Sequence, residues 1–206
     1  MNEILAVAFI TILAVISPGP DFAMVTRNSY AYGRRSGLVS AVGVAFGVQV
    51  HVFYTVFGIA VVISHSPVLF LAMKFFGAGY LIYIGYQSLT NKSRVTLDLS
   101  SGGQLSLWSA FRHGFLTNAL NPKTMLFVVS SYTQVVKPGS PFGVDLAYGV
   151  FMSFAHLAWF SLVAIFFSSA VLRKAMLEKQ RIVDRVIGTA LISLGLSLML
   201  TVVGAK

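Results

Sequence analysis

Six long apolar stretches, separated by short polar segments, make up most of this chain. Each stretch is long enough to cross a bilayer as a helix, which needs about 20 mostly apolar residues. The segments between them contain turn-forming residues such as Gly33 and the run from Pro138 to Pro141. The pattern predicts an all-α polytopic membrane protein with six transmembrane helices, at Ile4–Thr26, Ser36–Ser64, Pro67–Leu89, Phe111–Val136, Leu146–Leu172 and Ile182–Val203.

Two of these stretches are interrupted by proline. The first contains Ser17-Pro18-Gly19-Pro20-Asp21 and the fourth contains Asn121-Pro122-Lys123. Proline removes a backbone donor and clashes with the preceding helical turn, and a freed polar backbone inside a bilayer is tolerated only where protein or water receives it. We therefore predict that helices 1 and 4 are broken, at Pro18, Gly19 and Pro20 and at Pro122, with a charged residue beside each break.

Composition supports the membrane assignment and excludes several kinds of metal and redox site. The chain is 56% hydrophobic and 10% charged, with a mean hydropathy of +0.81, whereas soluble domains are about 25% charged. It contains no cysteine, which excludes disulfides, thiolate metal sites and c-type haem attachment. We expect neither a cofactor nor a metal.

The net charge of +9 comes from lysine and arginine in short segments between apolar stretches rather than from a basic stripe. We therefore expect no nucleic-acid partner and interpret these residues as topology signals. Eleven basic residues lie in the first, third and fifth connections or at their edges, against Lys74, Lys137 and Lys206 on the other side. This asymmetry predicts a cytoplasmic linker over 91–110 and both termini in the periplasm.

The two halves of the chain carry similar residues in the same order. Pro18 matches Pro122 at an offset of 104, His51 matches His156 at 105, and Gly77 matches Gly188 at 111. With three helices per half, the second half enters the bilayer from the opposite face. We predict one transmembrane domain over 1–206, built from inverted repeats at 1–90 and 111–206, whose broken helices meet near the bilayer centre. The alternative is chance matching among apolar helices.

Asp21 and Lys123 are the candidate binding residues. A charged side chain inside a bilayer costs about 2.5–3.5 kcal/mol on insertion scales, so each needs a compensating role. Asp21 suits the ammonium group of a substrate, or a proton, or each in turn; the alternative is a cap that restarts its helix. Lys123 needs an anionic partner, which we predict to be Asp21 in the empty site and a substrate carboxylate in the occupied one; the alternatives are a permanent structural ion pair or a lysine that reaches the interface. Uncharged candidates at the same site are Ser17, Gln49 and Asn121.

Two histidines and several glycines complete the candidate residues. His51 and His156 lie in helices 2 and 5, and together with Asp21 they are candidates for proton coupling because histidine changes charge near neutral pH. The alternative for each is a neutral buried histidine bonded to the backbone. Gly43, Gly47, Gly77 and Gly188 are interpreted as helix-packing positions, since small residues let membrane helices approach closely.

The motifs together resemble the lysine exporter superfamily, in its homoserine and threonine efflux branch. The resemblance rests on the two proline motifs, on the Gly77–Tyr86 run and on Asp184–Gly188, and it covers nearly the whole chain. It implies a proton-driven exporter of small neutral or hydroxylated amino acids in the bacterial inner membrane. The implied partners are an amino-acid substrate, protons and the lipid bilayer, and a homodimer is left open.

Two other classes of protein compete with the transporter. An intramembrane hydrolase would use a serine and a histidine from different helices, for example Ser17 and His51, although Pro18 directly follows the serine. A channel or an assembly protein without transport is the third class. A channel predicts polar positions along several helices, whereas the polar positions here gather near the two breaks.

Overall fold

A computed structural model describes residues 3–90, 105–135 and 141–204. Over these ranges the chain forms eight helices and no strand, which confirms the all-α prediction. The helices are α1 (Glu3–Ile16), α2 (Pro20–Tyr32), α3 (Arg34–His65), α4 (Pro67–Thr90), α5 (Leu107–Ala119), α6 (Pro122–Val135), α7 (Phe142–Ser168) and α8 (Ala170–Gly204). Most of the predicted linker at 91–110 lies outside the described residues.

The prolines fix where helices begin. Pro20, Pro67 and Pro122 are the first residues of α2, α4 and α6, a position that suits proline because the missing N–H has no partner inside the helix anyway. Gly33 separates α2 from α3 with φ of 85°, a left-handed conformation that glycine adopts without a steric penalty. The two breaks therefore lie where the prolines predict them.

Two described helices, Arg34–Gly58 within α3 and Phe142–Ser168 in α7, are long and apolar enough to cross a bilayer. A third crossing results if α1 and α2, which meet at an angle of 54°, form one bent span. The six-span inverted repeat stays a prediction. The basic segment that was expected to be a loop before the last span is helical instead, since α8 already begins at Ala170.

The core forms around α3, which packs against α2, α5 and α7, while α4 packs against α6 and α8. Residues from α1, α3, α4, α6, α7 and α8 form one buried apolar cluster, and a second cluster joins α1, α2, α3 and α7. Ser17 and Asp21 at the first break and Asn121 at the second are buried, whereas Leu120 is 78% exposed. Polar side chains of both breaks therefore lie inside the protein.

The four predicted packing glycines all lie at close helix contacts. A methyl group on Gly43 would overlap the carbonyl oxygen of Phe111, and one on Gly47 would come within 2.8 Å of Asn118 Cβ, both on α5. A methyl group on Gly77 would meet Ser130 Cα at 3.0 Å, and one on Gly188 would meet the carbonyl oxygen of Gly85 at 2.6 Å.

The Gly43→Ala variant is expected to be less stable than the wild type by about 1–3 kcal/mol, the usual cost of overpacking. Gly58→Ala, in the same helix, is the matched control because a methyl group at Gly58 would meet nothing within 4 Å. Thermal unfolding in detergent, followed by circular dichroism, measures the difference. Equal unfolding temperatures for the two variants would show that α3 and α5 do not pack through Gly43.

Candidate functional site

Asp21 is the second residue of α2, directly after Pro20. The free N–H groups and the positive dipole end of a helix N-terminus favour a carboxylate there. The side chain is 6% exposed, and its Oδ2 accepts hydrogen bonds from Asn118 Nδ2 at 2.9 Å, Asn121 Nδ2 at 3.0 Å and Thr124 Oγ1 at 3.3 Å. All three donors belong to the second broken helix. The carboxylate at the first break therefore forms hydrogen bonds with side chains at the second break.

The other oxygen of this carboxylate is in a different situation. Asp21 Oδ1 is buried and accepts no hydrogen bond from any residue that the structure describes. Buried polar atoms without partners are uncommon in folded proteins, and a carboxylate oxygen bonds most strongly to charged donors. Asp21 Oδ1 is thus an available acceptor for a cation or a proton.

Lys123 is the second residue of α6 and crosses to the end of α1. Its Nζ donates to the Ser17 carbonyl oxygen at 2.8 Å, to Ser17 Oγ at 2.9 Å and to the Pro18 carbonyl oxygen at 2.9 Å. These carbonyl groups follow the last turn of α1, where the helix dipole is negative and favours a cation. The N-terminus of its own helix is unfavourable to the lysine, and the end of α1 supplies the negative surroundings instead.

His51 makes a hydrogen bond to a backbone carbonyl group at the end of α5, as Lys123 does at the end of α1. Its Nε2 lies 2.8 Å from the Asn118 carbonyl oxygen and its Nδ1 lies 2.6 Å from Tyr54 Oη. Because a carbonyl oxygen only accepts, Nε2 carries the hydrogen and Nδ1 accepts from Tyr54. Both ring nitrogens are engaged, so this geometry offers no support for His51 as the base of a hydrolase or as a proton carrier.

Residues from both breaks line one cavity. The polar ones are Ser17, Asp21, Asn121, Lys123 and Thr124, and the apolar ones come from neighbouring turns: Ala14, Val15, Phe22, Phe127 and Phe160. Gly19 and His156 complete the lining. The cavity therefore brings together one carboxylate, one ammonium group, one histidine and an apolar wall.

Gln49 lies outside this cavity, so the structure does not bring it together with the other predicted binding residues. Its Nε2 donates to the Gly149 carbonyl oxygen at 3.0 Å and also to Ser153 Oγ. Both of its donor hydrogens are thus used to join α3 to α7. In the described part of the chain no cluster of three metal-ligating side chains is present.

Sequence reasoning missed six lining residues: Ala14, Val15, Phe22, Thr124, Phe127 and Phe160. Thr124 follows Lys123 directly, Phe127 is one turn further along α6, and Phe160 is one turn after His156 in α7. For Phe127 and Phe160 the spacing of four from Lys123 and His156 was the available signal, because positions i and i+4 share a helix face.

These features define a helical membrane protein in which two interrupted helices form one charged cavity. The family model described as LysE type translocator matches residues 12–201, and the chain belongs to this family. The match confirms the resemblance found in the sequence. It also confirms the prediction of a transport protein rather than an enzyme.

Relatives from several bacteria match most of the chain. The uncharacterized membrane protein YrhP of Bacillus subtilis is 28% identical over 205 residues, 95% of this chain and 98% of its own. The threonine efflux protein of Escherichia coli K12 is 27% identical over 202 residues, 96% of this chain and 97% of its own. A leucine efflux protein of Salmonella choleraesuis is 32% identical over 134 residues, 63% of this chain and 61% of its own. No solved structure matches the chain.

Proposed function

We propose that this protein exports small neutral amino acids across the bacterial cytoplasmic membrane, with threonine or homoserine as the reference substrates. The observation that carries the proposal is that Asp21 and Lys123, from different broken helices, line the same cavity. An amino acid carries an ammonium and a carboxylate one carbon apart, so a site for it needs both charges close together. The names of the threonine and leucine efflux proteins support the substrate class.

In the proposed complex the substrate ammonium bonds to Asp21 Oδ1, the oxygen without a partner. The substrate carboxylate bonds to the Lys123 ammonium in place of one of the three hydrogen bonds that Nζ donates to Ser17 and Pro18 at the end of α1. Asn121 connects the two residues, since its Nδ2 donates to Asp21 Oδ2 and its Oδ1 accepts from the backbone N–H of Lys123. A zwitterion therefore bridges the two breaks.

Proton coupling in this scheme uses Asp21. A proton on Oδ1 neutralises the carboxylate and removes the attraction for the substrate ammonium, so proton and substrate exclude each other at one atom. Exchange of an inward-moving proton for an outward-moving amino acid then follows from the gradient. His51 is less suited to this role because both of its nitrogens are bonded.

Alternating access in this scheme comes from rocking of repeat 1–90 against repeat 111–206 around the two breaks. The hydrogen bonds between Asp21, Asn118 and Asn121 cross from one repeat to the other, so they form a pivot between the repeats. The excess of basic residues in alternate connections supports a cytoplasmic linker and periplasmic termini.

Counterflow in proteoliposomes tests the function. Vesicles loaded with unlabelled threonine are expected to accumulate external labelled threonine, with saturation and with a dependence on an imposed proton gradient. A flux that does not saturate would indicate a channel, and chemical conversion of the substrate without movement would indicate an enzyme. Either result would overturn the proposal, as would a lack of counterflow with every neutral amino acid.

A further inference from the structure

His156 presents one free ring nitrogen at the cavity. Its Nδ1 lies 2.7 Å from the Met152 carbonyl oxygen, one turn earlier in α7. In the part of the chain that the structure describes, its Nε2 makes no hydrogen bond, although the side chain is only 4% exposed and lines the cavity. Since the Nδ1 edge faces its own helix, the Nε2 edge points away from α7.

The bond to Met152 fixes the tautomer. A carbonyl oxygen only accepts, so Nδ1 carries the hydrogen, and in a neutral ring Nε2 is then a bare acceptor. The ring lies between two phenylalanines, with centroid distances of 6.4 Å to Phe127 and 6.1 Å to Phe160. A buried acceptor without a partner is unfavourable, so a ligand that donates a hydrogen bond to Nε2 is favoured.

We infer that His156 determines side-chain specificity by accepting a hydrogen bond from a hydroxyl group on the substrate. The inference rests on the proposed function, since Asp21 and Lys123 must hold the substrate main chain for its side chain to reach this wall. Phe127 and Phe160 surround the aliphatic part of the side chain, and His156 Nε2 accepts from the hydroxyl. The favoured class is a small hydroxylated amino acid rather than its aliphatic isostere.

Threonine and valine form the probe pair, because they differ by a hydroxyl in place of a methyl group. A site that is built to bond a hydroxyl leaves its own polar atom unpaired when the isostere binds. We expect the wild type to favour threonine over valine by about 10- to 100-fold in kcat/KM, from the usual cost of an unpaired buried polar group. In His156→Phe, which keeps an aromatic ring but removes the acceptor, the ratio falls to near one.

His156→Gln is the second variant, because its amide oxygen restores an acceptor, and we expect it to recover part of the preference for threonine. The control is His113→Phe, a change at an exposed histidine of α5, which keeps the wild-type ratio. Initial rates of counterflow with each labelled amino acid give the ratios.

Three results would overturn the inference: a wild-type ratio near one, an unchanged ratio in His156→Phe, or an equal loss of both substrates in His156→Phe and His156→Gln. The equal loss would assign His156 to the transport step instead of to specificity. Failure of the wild type to move any neutral amino acid is a different result, because it would contradict the proposed function itself.

Discussion

Asp21→Asn is expected to lower the rate of threonine counterflow at least about 100-fold, since removing one member of a buried charge pair typically costs 2–5 kcal/mol. The amide has the same shape as the carboxylate and still offers an oxygen to Asn118, Asn121 and Thr124, so the helix break keeps its bonds. It has neither the charge to hold the substrate ammonium nor a site for a proton. The fold is therefore retained while transport is lost.

The control for Asp21→Asn is Glu178→Gln, which removes one negative charge from an exposed position of α8. Initial rates in proteoliposomes, with protein content and monodispersity matched, give the comparison. Full transport by Asp21→Asn would remove this carboxylate from both substrate binding and proton coupling.

Lys123→Met is expected to reduce counterflow by a similar factor of at least about 100, because the substrate carboxylate then lies in the protein without a countercharge. This variant should also be less stable than the wild type. The lysine ammonium donates to two carbonyl groups at the end of α1, and unpaired buried carbonyl groups cost about 1–3 kcal/mol. We expect loss of transport together with a lower unfolding temperature.

Two further variants separate the role of Lys123 in transport from its role in stability. Lys179→Met removes a positive charge from an exposed position of α8. It is expected to change neither the rate of counterflow nor the unfolding temperature. Lys123→Arg keeps the charge and the donors, so it should restore stability more fully than transport, since the larger planar group does not reproduce the point charge. A Lys123→Met protein that is as stable and as active as the wild type would show that the lysine has no function at the break.

The positions of the breaks followed directly from sequence, because the effect of proline on a helix is local and chemical. The meeting of Asp21 with the second break followed from the matched order of Pro18 and Pro122, which placed both breaks at one depth. The sequence did not predict which atoms accept hydrogen bonds from Lys123, because backbone carbonyl groups have no sequence signature. Only the packed structure shows that the end of α1 receives the lysine.

Gln49 shows where sequence reasoning fails in a membrane helix. The α3 helix has apolar residues on all sides, so periodicity cannot say which side faces the cavity. The structure turns Gln49 toward Gly149 and Ser153 on α7. Phe127 and Phe160 were missed although each lies four residues after a candidate polar residue, because they are phenylalanines among many apolar neighbours.

The central claim is that one amino acid bridges Asp21 and Lys123, and ligand analogues test it directly. Binding to purified protein is measured by calorimetry for threonine, for its methyl ester, which lacks the carboxylate, and for N-acetylthreonine, which lacks the ammonium. We predict that Lys123→Met weakens binding of threonine but not of the ester, and that Asp21→Asn weakens binding of threonine but not of the N-acetyl analogue. Equal losses of affinity for all three ligands in either variant would contradict the account.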